Sequence, residues 1–523
     1  MHRHAQLPPD RFLYGRKGPW PQPSPSHPLL EAPEVLNVPA DEWMLWNETI
    51  GARYAKTQLG QPPLAAAYAV QNRAYLGPND ENFHRILFET GYTRFLRHVD
   101  EGDRRTFGRL VEMTADAQWY KYDFRAMKVV EPLDDLYCAP TAILIRECRT
   151  TGTRTAAAIA LPKLVVLPGD PAWTMAKAFA LQGAAYHMLF VVHPALHFPM
   201  DSVNAITKTS IPMTHPIFQM LYPHTQYSLA LNNAVLEGDM SVVNNNAAGT
   251  WFDPLTADGY NLKMLFGAGY AGIKKFGDSY PQYNYLKPQK GTQDGLTSPF
   301  LQALDQYYGV FEEFTTVVAK RIFEDDDQRD YVGPWARYLH SYLHGFPGHT
   351  EVMRDAELLA RVMAIYMWDV SVSHGADHYS FGTQVAVRDK MLRIRVAPPT
   401  DRNEPPPNPA AGEFLCSADD HYRASMCQQM FFLPFRIEPS LANLGYPLLD
   451  PVSFKASMAF HEALKAVDVN LQTDCPHGGG GTCCFQPLVS REEYPKPIGD
   501  DEFKPGPFDP TLKELVIPST IQY

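Results

Sequence analysis

The sequence predicts a mainly α-helical body with a few short strands. Three observations lead there: apolar residues recur at helical spacing over long stretches, strand-like runs are few and short, and no linker divides the chain. At 523 residues the chain could hold two or three average domains, and the missing divider points instead to one large one.

Residues 1–45 contain nine prolines and little periodicity, as in "GPWPQPSPSHP". This reads as an extended proline-rich arm, with 46–523 as the body. Helical spacing sets in with "DEWMLWNETIGARYAKTQL" and recurs in "FHRILFETGYTRFLRHV", "WTMAKAFALQGAAYHMLFVV", "LDQYYGVFEEFTTVVAKRIF" and "DAELLARVMAIYMWDVSVS". Strand-like material is limited to "TAILIREC", "TAAAIALPKLVVLP" and "QVAVRDKMLRIRVA". "FLRHVDEGDRR" reads as a solvated helix end, "APPTDRNEPPPNPAAGE" as an exposed loop. "TDCPHGGGGTCCF" sets Cys475, His477, Cys483 and Cys484 around four glycines. Its spacings match no standard zinc finger, so it too reads as a loop.

Hydrophobic residues make up 45% and charged residues 20% of the chain, with a net charge of -12. This is globular composition, and the acidic balance argues against a nucleic acid or an anionic membrane as main partner. No window reaches the ~18 uninterrupted apolar residues of a membrane span. The first residues lack the apolar core of a secretory signal, and seven cysteines do not describe a disulfide framework. The expectation is a cytoplasmic protein, at most peripheral to a membrane. No phosphate-binding loop or dinucleotide fingerprint is present, and "FGAGYAG" alone is weak.

The chemistry lies in the histidines. "YHMLFVVHPALHFPMD" holds His187, His193 and His197, and "SVSHGADHYSFG" holds His374 and His378. Residues four apart share one face of a helix, about 5–6 Å apart at Cβ, so each HxxxH pair could clamp one ion. Four buried imidazoles without a common ligand would each need separate hydrogen-bond partners. Neither pair is HExxH, so the base of a zinc protease is absent. An all-nitrogen site suits iron, manganese, copper or zinc, and spacing does not choose among them. His187, ten residues before His197 on a similar face, fits a supporting position behind the ligands. The apolar surround of Met188–Val192 suits oxygen or radical chemistry on a lipophilic substrate.

An ordered series of segments resembles the catalytic domain of lipoxygenases, the non-haem iron (sometimes manganese) dioxygenases of polyunsaturated fatty acids. "AIALPKLVVLPGDPAWTMAKAFALQGAAYHML" is similar to the family's run through W-x-x-A-K into the first ligand helix. "THPIFQMLYPHTQYSLALNNAV", "VSHGADHYSFG" and the final "LVIPSTIQY" follow in family order. The likeness covers about residues 130–523 and is strongest in 160–236. Nothing resembles the amino-terminal β-barrel of many members, which implies a catalytic domain alone, built as a single large helical domain around a metal-bearing helix pair.

Carried over by position, the resemblance makes His197, His374 and His378 ligands of one iron (alternatively manganese) ion, with the Tyr523 carboxylate as a further ligand. His187 and Asp201 fall on supporting positions, and Val235 on the position that shapes the oxygen and substrate pocket. The family's first two ligands stand five apart, which places Val192 at the first position. His193, one residue late, is favoured as the ligand. Phe381 stands where a glutamine is expected, with Gln384 further on. His215 and His224 read as structural hydrogen-bonding residues. The implied reaction is hydrogen abstraction from a polyunsaturated fatty acid or similar polyene followed by O2 addition to give a hydroperoxide. The departures at Val235 and Tyr523 leave a second outcome open, an oxidase that cyclises, desaturates or oxygenates a specialised metabolite. A non-catalytic metal- or lipid-binding relative is the third.

Overall fold

The computed structural model describes residues 40–52, 62–230, 255–259, 261–262, 265, 283–288, 296, 298–431, 439–473 and 517–521. The architecture is mainly helical with one small antiparallel sheet, as the sequence predicts.

The sheet is a meander of β1 (Arg97–His98), β2 (Ala117–Asp123), β3 (Ala142–Cys148), β4 (Arg154–Leu161) and β5 (Leu164–Val166), each paired with its sequence neighbour. Tyr120 lies opposite Ile145, and Ile143 opposite Ile159. Those residues join the helix Trp173–His187 in one apolar cluster, while Trp119, Leu144 and Ala158 pack against Phe107 on the other side. Both faces are covered, so β2 shows no apolar–polar alternation. Its Lys121 is wholly buried, and its ammonium meets Asp103 at 2.6 Å, Asp100 at 2.8 Å and Asp123 at 3.7 Å.

Two expectations fail. "QVAVRDKMLRIRVA" is not a strand: Val387–Lys390 forms a tight helical turn that ends at left-handed Met391 (φ 51°), and Ile394 makes an isolated bridge to Tyr137. Side-chain bonds override its β-propensity. Tyr75 donates to Asp389 at 2.6 Å, and buried Lys390 donates to the Val385 carbonyl at 2.5 Å and to Gln428. Nor is "FLRHVDEGDRR" a solvated helix end, because Phe95, Leu96, Arg97 and Asp103 are buried. Asp100 caps the start of the helix Glu101–Phe107 through reciprocal 3.0 Å bonds with Asp103.

The helix Ala40–Trp46 lies on the body. Glu42 pairs with Lys208 at 2.5 Å, and Trp43 and Trp46 pack against Ala205, Leu229 and Ala230. The arm–body boundary expected after residue 45 therefore cuts through a docked helix; residues 1–39 lie outside the described residues.

Two long helices organise the interior. The first runs Trp173–Ser210, and 94% of its most apolar window is buried, so length and hydropathy that would suffice for a membrane are used for a core helix. The second joins Ala356–Trp368, Asp369–Ser373, His374–Tyr379 and Ser380–Gln384 without a break. Each passes from one large apolar cluster to the other. Val192 and Phe198 belong to one cluster and Met200 and Val203 to the second; on the other helix Val372 and Tyr379 belong to the second and Phe381 to the first. The histidines lie where both helices cross that seam.

The segment Ile517–Ile521 threads through the same interior. Leu441 N–H donates to the Ile517 carbonyl at 3.0 Å, and the Thr520 hydroxyl donates to the Gln226 carbonyl at 2.8 Å. The His224 Nδ1–H donates to the Ser519 carbonyl at 2.6 Å, which leaves Nε2 to accept from the Tyr446 hydroxyl at 2.8 Å. Burial pushes His224 down to about 4. Burial likewise lowers His215 and His421 to about 4 and His187 to about 3. A histidine whose pKa falls on folding stabilises the native state above its ordinary value near 6.5 and loses that contribution as pH falls toward the folded value. Thermal melts of metal-free protein should therefore be level above pH 6.5 and decline between 6.5 and 4, with His224→Gln reducing the decline. A flat profile would contradict the buried neutral rings.

Candidate metal centre

Each ligand pair follows a π-helical segment. Met188–Val192 precedes His193, and Asp369–Ser373 precedes His374. A π turn inserts a residue into the α-helical register and resets which face follows, a device common at functional sites. Beyond each segment the helix is α-helical again, so His193/His197 and His374/His378 each occupy one face four residues apart. Pro194 opens the first ligand turn and Pro199 sits inside the helix, where it removes one backbone donor without ending the helix.

The four rings converge. His193 and His197 meet Nε2 to Nε2 at 2.9 Å, His197 and His374 at 2.9 Å, and His374 and His378 at 3.1 Å. One nitrogen from each ring lies within 4.8 Å of those of the other three. His197, His374 and His378 are buried, while His193 keeps 12% of its side chain exposed and forms the edge of the cluster nearest solvent.

These contacts cannot all be good hydrogen bonds. A ring nitrogen either carries a proton or presents one in-plane lone pair, yet the Nε2 atoms of His197 and His374 each meet two others. One proton or one lone pair would have to serve two neighbours at once. A cation resolves the conflict, because all four lone pairs can point at it. Imidazole nitrogen sits about 2.1 Å from a first-row ion, so ligands at right angles lie ~3.0 Å apart and ligands at the tetrahedral angle ~3.4 Å apart. Separations of 2.9, 2.9 and 3.1 Å are short enough for these nitrogens to share one such ion. The donor set fits a transition-metal ion.

Other expected positions fall as follows. Asp201 is buried one turn beyond His197, and its charge acts on Tyr366 of the second helix. His187 packs edge-on against Phe95 and Phe124, with centroids at 4.8 and 5.5 Å. The π segment between His187 and the ligands breaks the regular step on which a shared face was argued. His215 caps the helix Pro216–Leu221 by accepting from Ile217 N–H at 3.1 Å. Gln384 accepts from the Ser380 hydroxyl at 2.9 Å. Val235, Tyr523, Cys475, His477, Cys483 and Cys484 lie outside the described residues.

Sequence reasoning missed two charged residues beside the cluster. Asp377, between His374 and His378, forms a buried ion pair with Arg94, and its Oδ2 lies 3.5 Å from His193 Nδ1. The signal was an acidic residue within an apolar helix, one position from a candidate ligand.

No family model matches the chain. The epidermal-type polyunsaturated fatty acid (12S)/(13S)-lipoxygenase of Rattus norvegicus is 29% identical over 347 residues, 60% of this chain and 47% of the relative. The chain thus spans about half the length of that curated relative. Among solved structures, the manganese lipoxygenase of Gaeumannomyces graminis aligns at a TM-score of 0.68 with 13% identity, covering 98% of this chain and 96% of its own. A LOX solved anaerobically in complex with arachidonate aligns at 0.64 with 15% identity, covering 89% and 77%. The fold is therefore that of a divergent lipoxygenase-like catalytic domain.

Purified protein should carry a bound transition metal by elemental analysis. His197→Ala and His374→Ala, each removing a nitrogen with two close neighbours, should leave the protein folded and nearly metal-free. Full metal content in either variant would refute the site.

Proposed function

We propose that this lipoxygenase-like domain is a non-haem metal dioxygenase that abstracts an allylic hydrogen from a polyunsaturated fatty acid or similar polyene and adds O2 to give a hydroperoxide. The observation that carries the reading is the convergence of four imidazoles, three of them buried, nitrogen to nitrogen, between two apolar clusters. His193, His197, His374 and His378 would hold the ion, iron first and manganese as the alternative. The Tyr523 carboxylate completes the proposed ligand set. When bound, an ion of this kind supplies one-electron reactivity towards a weak doubly allylic C–H bond.

The chain's own residues do the rest. Neutral imidazoles leave the ion's charge largely uncancelled. Val192, Leu196, Val372 and Ala376, which flank the ligands, are buried and carry no polar group, so they exclude water and favour a hydrocarbon chain. No side chain is needed as nucleophile. Asp201 and His187 would support the ligand rings, and Val235 would shape the path of oxygen.

Two features support the tail's part. Ile517–Ile521 is fixed by His224, Gln226 and Leu441. Pro518 also passes close to Gly375, next to His374: a Cβ at residue 375 would lie 3.2 Å from Pro518 Cδ.

Metal-loaded protein given linoleate should consume O2 in step with growth of conjugated-diene absorbance, and deletion of Tyr523 should abolish both. Turnover of a non-lipid polyene with O2 uptake but no lipid hydroperoxide would shift the reading to an oxidase of a specialised metabolite. A protein that binds metal and turns over neither would overturn it.

A further inference from the structure

The turn Gly91–Phe95 is wedged between the two ligand helices. Gly91 N–H donates to the Ser380 hydroxyl at 2.9 Å. A Cβ at residue 91 would lie 2.7 Å from Ser380 Oγ and 2.9 Å from Met188 Cε, so a larger residue would have to displace both side chains. From this turn Arg94 reaches Asp377 through Nη1 and the Ser373 carbonyl and hydroxyl through Nη2, both at 3.4 Å. The Arg94 and Asp377 side chains are each 1% exposed. A buried charge needs a partner, and each is the other's. Asp377 Oδ1 takes the guanidinium, while Oδ2 lies 3.5 Å from His193 Nδ1. That is longer than a full hydrogen bond, yet close enough for the carboxylate to bias the direction of a ring N–H.

We propose that Asp377 is a positioning residue of the metal centre, held by Arg94, which orients the His193 ring through its Nδ1–H. An imidazole that turns its Nε2 lone pair to an ion carries its proton on Nδ1, and the acceptor of that proton sets ring angle and ligand strength. His193 is the ring with most need of it. It stands four residues from His197 rather than the five of the family pattern, and it is the least buried of the four. Asp377 occupies the adjoining turn of the opposite ligand helix, so the contact also ties the two pairs together. Because Arg94 balances the carboxylate, Asp377 contributes direction with little net charge.

The inference rests on the metal reading, and a thermodynamic cycle separates the two. Metal-free protein is titrated with Mn(II) and followed by electron paramagnetic resonance for wild type, Asp377→Asn, His193→Ala and the double variant. Asp377→Asn should weaken Mn(II) binding about 10–100-fold. In the His193→Ala background it should add no more than about 2-fold, and the spectrum of bound Mn(II) in Asp377→Asn should shift toward that of His193→Ala. The Arg94→Gln/Asp377→Asn pair leaves no buried charge alone and replaces the single variant in the cycle if that variant does not fold. Equal losses in both backgrounds, or wild-type affinity in Asp377→Asn, would overturn the positioning role. Absence of Mn(II) binding by the wild type would instead overturn the metal reading.

Discussion

The structure depends on four imidazole nitrogens held at about contact distance from one another inside an apolar interior. At a shared Nε2 one proton or lone pair would have to serve two neighbouring rings, a conflict that a common cation removes. Much of the architecture serves to hold it. Two helices cross the seam between two large apolar clusters, and a π segment ahead of each ligand pair sets its face. The turn Gly91–Phe95 and Gln428, which donates to the Gly382 carbonyl at 2.7 Å, restrain the second helix just beyond its histidines.

The four clustered histidines were legible because chemistry and period coincided. Histidines four apart in apolar stretches are unusual, and helical geometry alone predicts that each pair shares a face. The helices Trp173–His187, Pro299–Phe323 and Ala356–Trp368 and strands β3 to β5 were legible for the same reason, with runs too apolar to lie on a surface. What was illegible follows from features that carry no period. A π segment looks like any apolar stretch, so the face assigned to His187 was carried across a discontinuity. Strand β2, covered on both sides and holding Lys121 and Asp123, breaks the pattern by which strands are recognised. The segment around Val387–Lys390 had that pattern, yet tertiary bonds to Tyr75 and Gln428 hold it as a turn.

Charges proved more structural than their sequence context suggested. Lys121, Arg94, Asp103 and Asp377 all lie in the interior in paired form. The sequence shows the charges but not the partners, which come from distant segments: Arg94 and Asp377 are 283 positions apart. The closing segment behaves alike. Its apolar residues predict burial, but its path beside Gly375 and its anchoring by His224 appear only once the chain is folded. The structure brings the four rings together, whereas expectations that rested on local composition often failed.

X-ray absorption at the metal edge of the purified protein tests the central claim most directly. The account requires a first-row ion whose scattering shows several imidazole rings with nitrogen at about 2.1 Å, diminished by loss of any one ring. A coordination shell made of sulfur, or of water and carboxylate oxygen without imidazole scattering, would contradict it.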